Sequence, residues 1–146
     1  MLREMIKRHE GTRYKVYRCT SNKRTIGNGH NIDDKGLPPD IRMYLVDHGK
    51  ITQEMVDILL DQDIEDAITD CNKLYPDFLS FSKPRQDALI DFLFNVGLRT
   101  AHAFINTNRA INEGRWNDAA EGLLASKYAR QVGGRAIEIA DMLIRG

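Results

Sequence analysis

The sequence has few of the residues that hold small secreted proteins together covalently. Two cysteines, Cys19 and Cys71, occur among 146 residues, which is too few for a disulfide framework and fits a chain made in a reducing compartment. The cysteines and the four histidines also lack the clustered spacing of zinc ligands, so we expect no metal site. A chain of this length can bury about two-thirds of its unfolded surface, and it therefore needs no such staple to form a core.

Long apolar runs and net charge are also missing. No stretch of about 18 apolar residues occurs, so we expect no insertion into a membrane. The opening residues mix charges with Leu2, Met5 and Ile6, unlike the continuous apolar core of a signal peptide, so we expect no export signal. The 21 Lys and Arg residues balance 21 Asp and Glu residues, and we expect no nucleic-acid partner.

The common phosphate and acyl-transfer motifs are absent as well. The sequence contains neither a Gly-x-x-x-x-Gly-Lys-Ser/Thr loop nor a Gly-x-Ser-x-Gly turn. The segment Gly27-Asn28-Gly29 has too few glycines, and the wrong following element, for a dinucleotide-binding loop. Its glycines instead predict a tight turn or a close approach to another part of the chain.

The first third of the chain predicts one short helix and a hairpin. Apolar residues at helical spacing indicate a helix over residues 2–10, which ends at Gly11. Residues 14–19 and 24–26 alternate as strands around a turn at residues 21–23. Asp, Gly and Pro mark residues 31–50 as irregular, with a helical turn over residues 41–46.

The remainder predicts helices joined by short connections. Thr52 is a suitable N-cap for a long helix over about residues 52–73, and Pro76 prevents its continuation. Further helices are predicted over residues 82–97, 101–113, 116–125 and 135–144. The fold class is therefore α+β and mainly helical: a β-containing lobe over residues 12–50, the connecting helix, and a helical lobe of residues 74–146 together with the helix over 2–10. A cleft between two such lobes is the usual place for a site.

Three polar residues near the first helix and the hairpin could support acid catalysis. Glu10 lies at the exit of the helix, and Cys19 and Thr25 lie in the hairpin. A carboxylic acid beside an apolar wall can donate a proton to a glycosidic oxygen, and an inverting glycosidase also needs a group that places the attacking water. Spacing alone does not distinguish this set from ordinary surface residues.

The same residues carry a resemblance to a known family. Glu10, eight residues, Cys19, five residues and Thr25, within Arg24-Thr25-Ile26-Gly27-Asn28-Gly29-His30, resemble the Glu-x8-Asp/Cys-x5-Thr pattern and Thr-x-Gly-x-Gly-His hairpin of the phage-type lysozymes. The similarity continues in order through residues 51–63, 87–97 and 114–120. The resemblance implies a lysozyme-like two-lobe fold.

The resemblance also implies roles for the three polar residues. Glu10 would be the general acid, Cys19 would occupy the second catalytic position, and Thr25 would help to place the attacking water. A neutral thiol cannot replace an Asp well, so Cys19 would need to ionise near neutral pH, for example through the cations Arg18 or Arg24. The alternative is that Cys19 is an inert thiol beside a site that uses Glu10 alone.

Other positions match substrate-binding or structural residues of the family. The substrate-binding matches are Asn31, Phe94, Thr107, Gly122 and Arg135, although Asn31 and Gly122 depart from the residue types of the best-known member. His30 and Asp63 match a structural pair. Cys71 and Trp116 are expected to pack in the interior.

The function implied by the resemblance is that of an endolysin, a glycoside hydrolase that cleaves the β-1,4 bond between N-acetylmuramic acid and N-acetylglucosamine in peptidoglycan. No cofactor is implied. We expect a monomer that accumulates in the host cytoplasm and needs a holin to reach the cell wall. Two alternatives remain open: a lytic transglycosylase, which can work with one Glu, and a peptidoglycan-binding module with weak turnover.

Overall fold

Helices make up most of the computed structural model, which describes residues 1–146. The helices are α1 (Leu2–Glu10), α2 (Ile32–Lys35), α3 (Pro39–His48), α4 (Gln53–Leu74), α5 (Lys83–His102), α6 (Ile105–Asn112), α7 (Trp116–Leu124), α8 (Lys127–Val132) and α9 (Gly134–Arg145), with one 3-10 turn at Phe78–Ser80. A small sheet lies in the first third of the chain. The predicted α+β, mainly helical class is confirmed.

The chain divides into two compact units, Met1–Ile64 and Glu65–Gly146. The division falls inside the long helix α4, which was predicted as the connecting element. Helix α1 belongs to the first of these units. The predicted lobe boundaries, with α1 in the helical lobe, stay predictions.

The sheet of the first unit has three antiparallel strands in the order β1 (Arg13–Arg18), β2 (Arg24–Gly27) and β3 (His30–Asn31). The predicted hairpin is formed by β1 and β2, with Tyr17 opposite Thr25. Strand β3 returns after the Gly27-Asn28-Gly29 turn, with His30 opposite Ile26. Two residues are too few to show a period in the sequence, which is why β3 was not predicted.

The core of the first unit joins the sheet to the helices that follow it. Ile26, Ile41, Ile51, Val56 and Leu59 form one buried apolar cluster. The predicted start of α4 is confirmed, since the Met55 amide donates to Thr52 Oγ1 at 3.2 Å. This packing fixes β2 against α4, and β2 carries Thr25.

Several short helices differ from the sequence-based prediction. The helical turn predicted over residues 41–46 is the full helix α3, which has Pro39 in its first turn and ends at Gly49 with φ 73°. The helix predicted over 101–113 begins at Ile105, because residues 101–102 belong to α5. Helix α5 kinks at Gly97, with φ 80° and ψ 163°, and then resumes. Helices α2 and α8 were not predicted because they are too short for a clear apolar period.

The second unit is built around the nearly all-buried middle of α5. Phe92 is fully buried and makes edge contacts with Phe104 and Tyr128. Cys71 is buried as predicted. Trp116 packs edge-on against Phe81 and carries the Arg85 guanidinium 4.3 Å from its ring centroid, which agrees with the expected structural role.

Taken singly, none of the helices combines the length and the apolar composition that crossing a bilayer requires. Helices α5 and α6 pass that test only as a pair, and they are bent by 112°.

The predicted pair of His30 and Asp63 forms a buried link between β3 and α4. His30 Nδ1 lies 2.8 Å from Asp63 Oδ2, and His30 Nε2 lies 2.7 Å from the Gly36 carbonyl oxygen. Lys35 Nζ donates to the other Asp63 oxygen at 3.0 Å. Burial alone would lower the pKa of His30, but the hydrogen bond and charge of Asp63 and the Gly36 carbonyl raise it above the ordinary value of 6.5.

This geometry predicts that Asp63→Asn destabilises the protein in a pH-dependent way. Because the folded state raises the pKa of His30, the pair's stabilisation is complete below about pH 6.5 and is lost as pH rises through the raised pKa. We expect Asp63→Asn to lower the free energy of unfolding by about 3 kcal/mol at pH 6, because it removes one partner of a buried pair. Urea unfolding at several pH values measures the loss, with the exposed Asp141→Asn as control. A loss that does not shrink with rising pH would contradict this account.

Candidate functional site

Glu10 is held at the exit of α1, against the turn that follows β2. It is the last residue of α1, and its side chain is half-buried. A Cβ atom placed on Gly29 would lie 2.8 Å from Glu10 Cδ, so the carboxyl group packs directly on the Gly29 backbone. Gly29 also has φ +78°, which other residues rarely adopt. The close approach that the glycines of this turn predicted is therefore made to Glu10.

Cys19 lies immediately after β1, at the turn of the hairpin. The residue is half-buried, and its sulfur lies 3.5 Å from Ser21 Oγ. The Cys19 amide donates to the Lys23 carbonyl at 3.0 Å, and the Asn22 amide donates to the Cys19 carbonyl at 2.8 Å. These bonds fold the turn around the sulfur.

Hydrogen bonds lower the pKa of Cys19 to about 7 from an ordinary value of 9. The Ser21 hydroxyl contributes most, against the opposing effect of burial, and the Lys23 backbone and the Thr25 side chain add to it. The two cations that were expected to lower the pKa of Cys19 bind other groups. Arg18 donates to the Asn22 carbonyl, and Arg24 pairs with Asp33 at 2.7 Å. Near neutral pH a large fraction of Cys19 is thus a thiolate, although for a reason other than the predicted one.

Thr25 and Tyr17 complete the polar surroundings of the hairpin. Thr25 is buried, and its hydroxyl donates to the Lys23 carbonyl at 2.9 Å while lying beside the Cys19 sulfur. Partial burial raises the pKa of Tyr17, and the charges of Glu10 and Cys19 both add to this increase. Both groups therefore act electrostatically on the Tyr17 hydroxyl. The predicted residues Glu10, Cys19 and Thr25 all belong to the first unit.

Asn31, the remaining predicted site residue of the first unit, is committed to capping a helix. Its Oδ1 accepts from the Asp34 amide at 3.0 Å, and its Nδ2 donates to Asp34 Oδ2 at 2.9 Å. Asn31 is therefore the N-cap of α2, which gives it a local structural role.

Two predicted substrate residues of the second unit come together. Thr107 in α6 faces Gly122 in α7, where an added Cβ would lie 2.5 Å from Thr107 Oγ1. Both line a cavity of about 260 Å³ together with Asn106, Arg109, Ala110, Arg115 and Asp118. The absence of a side chain at Gly122 is what lets the hydroxyl of Thr107 approach α7.

The last two predicted residues lie on α5 and α9. Phe94 is half-buried on α5, three residues after Asp91. Arg135 on α9 pairs through Nε with Asp91 Oδ1 at 2.8 Å, and both side chains are at least nine-tenths buried. At least part of the Arg135 guanidinium is therefore held by the second unit itself.

The arrangement in the first unit suits acid-assisted chemistry. It offers a carboxyl group packed on a glycine backbone, and separately a thiol that ionises near neutral pH beside a hydroxyl. No group of three or more His, Cys, Asp or Glu side chains converges as metal ligands do. Sequence reasoning missed Tyr17, Ser21 and Asn28. The only signal for Asn28 was its place between two glycines.

Comparisons with known proteins give a consistent result. The family model described as phage lysozyme matches residues 7–142 of this chain. The chain is 27% identical to the endolysin of Acyrthosiphon pisum secondary endosymbiont phage 1, over 90% of this chain and 80% of that protein. It is 21% identical to the probable T4-type lysozyme 1 of Dictyostelium discoideum, over 99% of this chain and 94% of that protein.

A further relative is much longer than this chain. The pre-baseplate central spike protein Gp5 of Enterobacteria phage T4 is 29% identical over 98% of this chain. The match spans only 27% of the length of that spike protein.

Proposed function

Because this chain belongs to the phage lysozyme family, we propose that it hydrolyses the β-1,4 bond between N-acetylmuramic acid and N-acetylglucosamine in bacterial peptidoglycan. The observation that carries the proposal is the close packing of the Glu10 carboxyl group on Gly29. A general acid must lie within hydrogen-bonding distance of the oxygen it protonates, and this carboxyl group lies at a tight turn beside the exit of α1.

The proposed reaction divides the work between acid and base. Glu10 gives its proton to the bridging oxygen as the bond from that oxygen to the anomeric carbon breaks, and the sugar becomes oxocarbenium-like. A water attacks the opposite face of the sugar, which inverts the configuration. The Cys19 thiolate accepts the proton of that water, and the Thr25 hydroxyl orients it. Proton exchange with solvent then restores the acid and the thiolate.

The substrate-binding roles of the remaining residues are part of the same proposal. A half-buried aromatic ring at Phe94 and a hydroxyl at Thr107 suit the apolar faces and hydroxyls of sugar rings. Thr107 is 6% exposed, and it lines a cavity together with Gly122. Asn31 and Arg135 complete the set, and both are anchored by carboxylate-bearing neighbours, Asp34 and Asp91.

We also propose that the protein acts as a monomeric endolysin on the cell wall. It would accumulate in the host cytoplasm and reach peptidoglycan through a holin pore. The similarity to a protein named endolysin over most of both chains supports this role.

The test of the proposed function is chromatography of muropeptides released from purified sacculi by the parent protein and by Glu10→Gln. The parent should release fragments with reducing N-acetylmuramic acid ends. Glu10→Gln should release them at least about a hundredfold more slowly, because an amide cannot supply the proton. Pelleting of Glu10→Gln with sacculi should match that of the parent.

Two other outcomes would replace this proposal. Fragments with 1,6-anhydro ends would identify a lytic transglycosylase. Pelleting with sacculi without release of any fragment would identify a binding module. Equal rates for the parent and Glu10→Gln would remove Glu10 from the mechanism.

A second prediction concerns Cys19 as the base. Cys19→Ala should lose most lytic activity, whereas Cys19→Asp should retain much of it, because a carboxylate supplies the same negative charge. Turbidity of a sacculus suspension measures both activities. Since the thiolate forms as pH rises through about 7, the rate at which iodoacetamide alkylates Cys19 should rise over that range. Ser21→Ala removes the hydrogen bond that lowers the pKa of Cys19 most, so this rise should move to higher pH. Alkylation rates between about pH 5 and 9 measure each profile.

The control for this series is Cys71→Ala, which removes the buried thiol on α4 and should leave the pH profile of alkylation in place. If Cys19→Ala clears sacculi as fast as the parent, Cys19 is an inert thiol beside a site that uses Glu10 alone.

A further inference from the structure

The Gly27-Asn28-Gly29 turn contains a buried polar side chain that the proposed mechanism does not use. Asn28 is only 2% exposed. Its Nδ2 donates to the Gly11 carbonyl oxygen at 2.6 Å and lies 2.9 Å from Thr12 Oγ1. Because a carbonyl can only accept, the Gly11 bond fixes which way the amide points.

The two acceptors directly follow Glu10 in the chain. Helix α1 ends where the Gly11 amide donates to the Lys7 carbonyl at 2.8 Å, and Gly11 turns the chain with φ 72°. The side-chain amide of Asn28 thus holds the first two residues beyond the helix. On the other side, Gly29 adjoins Asn28 in the chain and carries the Glu10 carboxyl group on its backbone. The turn therefore contacts α1 at two places: Asn28 binds the residues that follow the helix, and Gly29 contacts the side chain of Glu10.

The second half of the Asn28 amide is not satisfied by the protein. Its Oδ1 is buried and has no hydrogen-bond partner in the structure. A buried acceptor without a partner costs stability, and an apolar side chain of similar size would avoid that cost. The Asn28 amide is hydrogen-bonded only through its nitrogen. This pattern favours a role in setting the distance between the exit of α1 and the turn over a role in adding stability.

We propose that Asn28 is a positioning residue for Glu10. It sets the separation between the exit of α1 and the Gly27-Asn28-Gly29 turn, and through Gly29 it holds the carboxyl group in place for proton transfer. This inference rests on the proposed role of Glu10 as the general acid. Because small displacements of reacting groups are costly, loss of the Asn28 bonds should lower kcat about tenfold to a hundredfold. KM should stay within about twofold, since Asn28 is buried.

Two substitutions distinguish the hydrogen bonds that Asn28 donates from the shape of its side chain. Asn28→Leu is close in size and forms no hydrogen bonds, and Asn28→Asp keeps the shape but replaces the donor with an acceptor that faces the Gly11 carbonyl. Both should lose kcat, with the larger loss in Asn28→Asp. A milder variant, Thr12→Val, removes one of the two contacts and should lower kcat only a few-fold, which keeps the proposal testable if the Asn28 variants fold poorly.

A matched control is Asn108→Leu in the second unit. Asn108 is also a buried Asn, and its Nδ2 donates to the Ala101 carbonyl oxygen at 2.9 Å near the end of a helix. Its substitution should lower Tm while leaving kcat at 25 °C unchanged. The experiment measures Tm, kcat and KM for all four variants on solubilised glycan strands.

The inference is overturned if the Asn28 variants leave kcat unchanged, as Asn108→Leu should. The ¹³C NMR signal of the Glu10 carboxyl group tests the inference independently of turnover. That signal should move in Asn28→Leu and stay in place in Asn108→Leu, and an unmoved signal in Asn28→Leu also overturns the inference. If the parent cleaves no glycan, the proposed function fails, and the NMR comparison still decides whether Asn28 positions Glu10.

Discussion

The account of this protein depends on one close contact, the packing of the Glu10 carboxyl group on the backbone of Gly29. The contact requires a residue without a side chain, and it requires that residue at φ +78°. It also requires that the exit of α1 and the turn after β2 stay at a fixed separation. The Asn28 bonds to Gly11 and Thr12 supply that constraint locally. The proposed acid, its proposed support and the proposed base all belong to the first unit, Met1–Ile64.

Hydrogen bonds lower the pKa of Cys19 where a neighbouring cation was expected to do so. A thiol is a poor replacement for an Asp carboxylate unless it ionises near neutral pH. Here the decrease in the pKa of Cys19 comes first from the Ser21 hydroxyl, and the nearby cations bind other acceptors. A hairpin that wraps hydrogen-bond donors around a sulfur can therefore create a thiolate without a paired Lys or Arg. The same donors would stabilise a carboxylate at that position.

Sequence reasoning was strongest where a pattern repeats or a motif has fixed spacing. The long helix α4 with its Thr52 cap, the β1–β2 hairpin and the His30–Asp63 pair were all predicted and are confirmed. The catalytic and substrate-binding roles stay predictions. Sequence reasoning failed for β3, α2 and α8, which are too short to show a period. It also missed the support of the site, because the bond from Asn28 to Gly11 joins residues 17 positions apart and follows no local rule.

The central claim is that Glu10, fixed on Gly29, reaches the bridging oxygen of a glycan. The most direct test is a crystal structure of Glu10→Gln bound to a β-1,4-linked tetrasaccharide from peptidoglycan. The account predicts that the side-chain nitrogen at position 10 lies within about 3.2 Å of a bridging glycosidic oxygen. A bound glycan with every bridging oxygen out of reach of that side chain would contradict it.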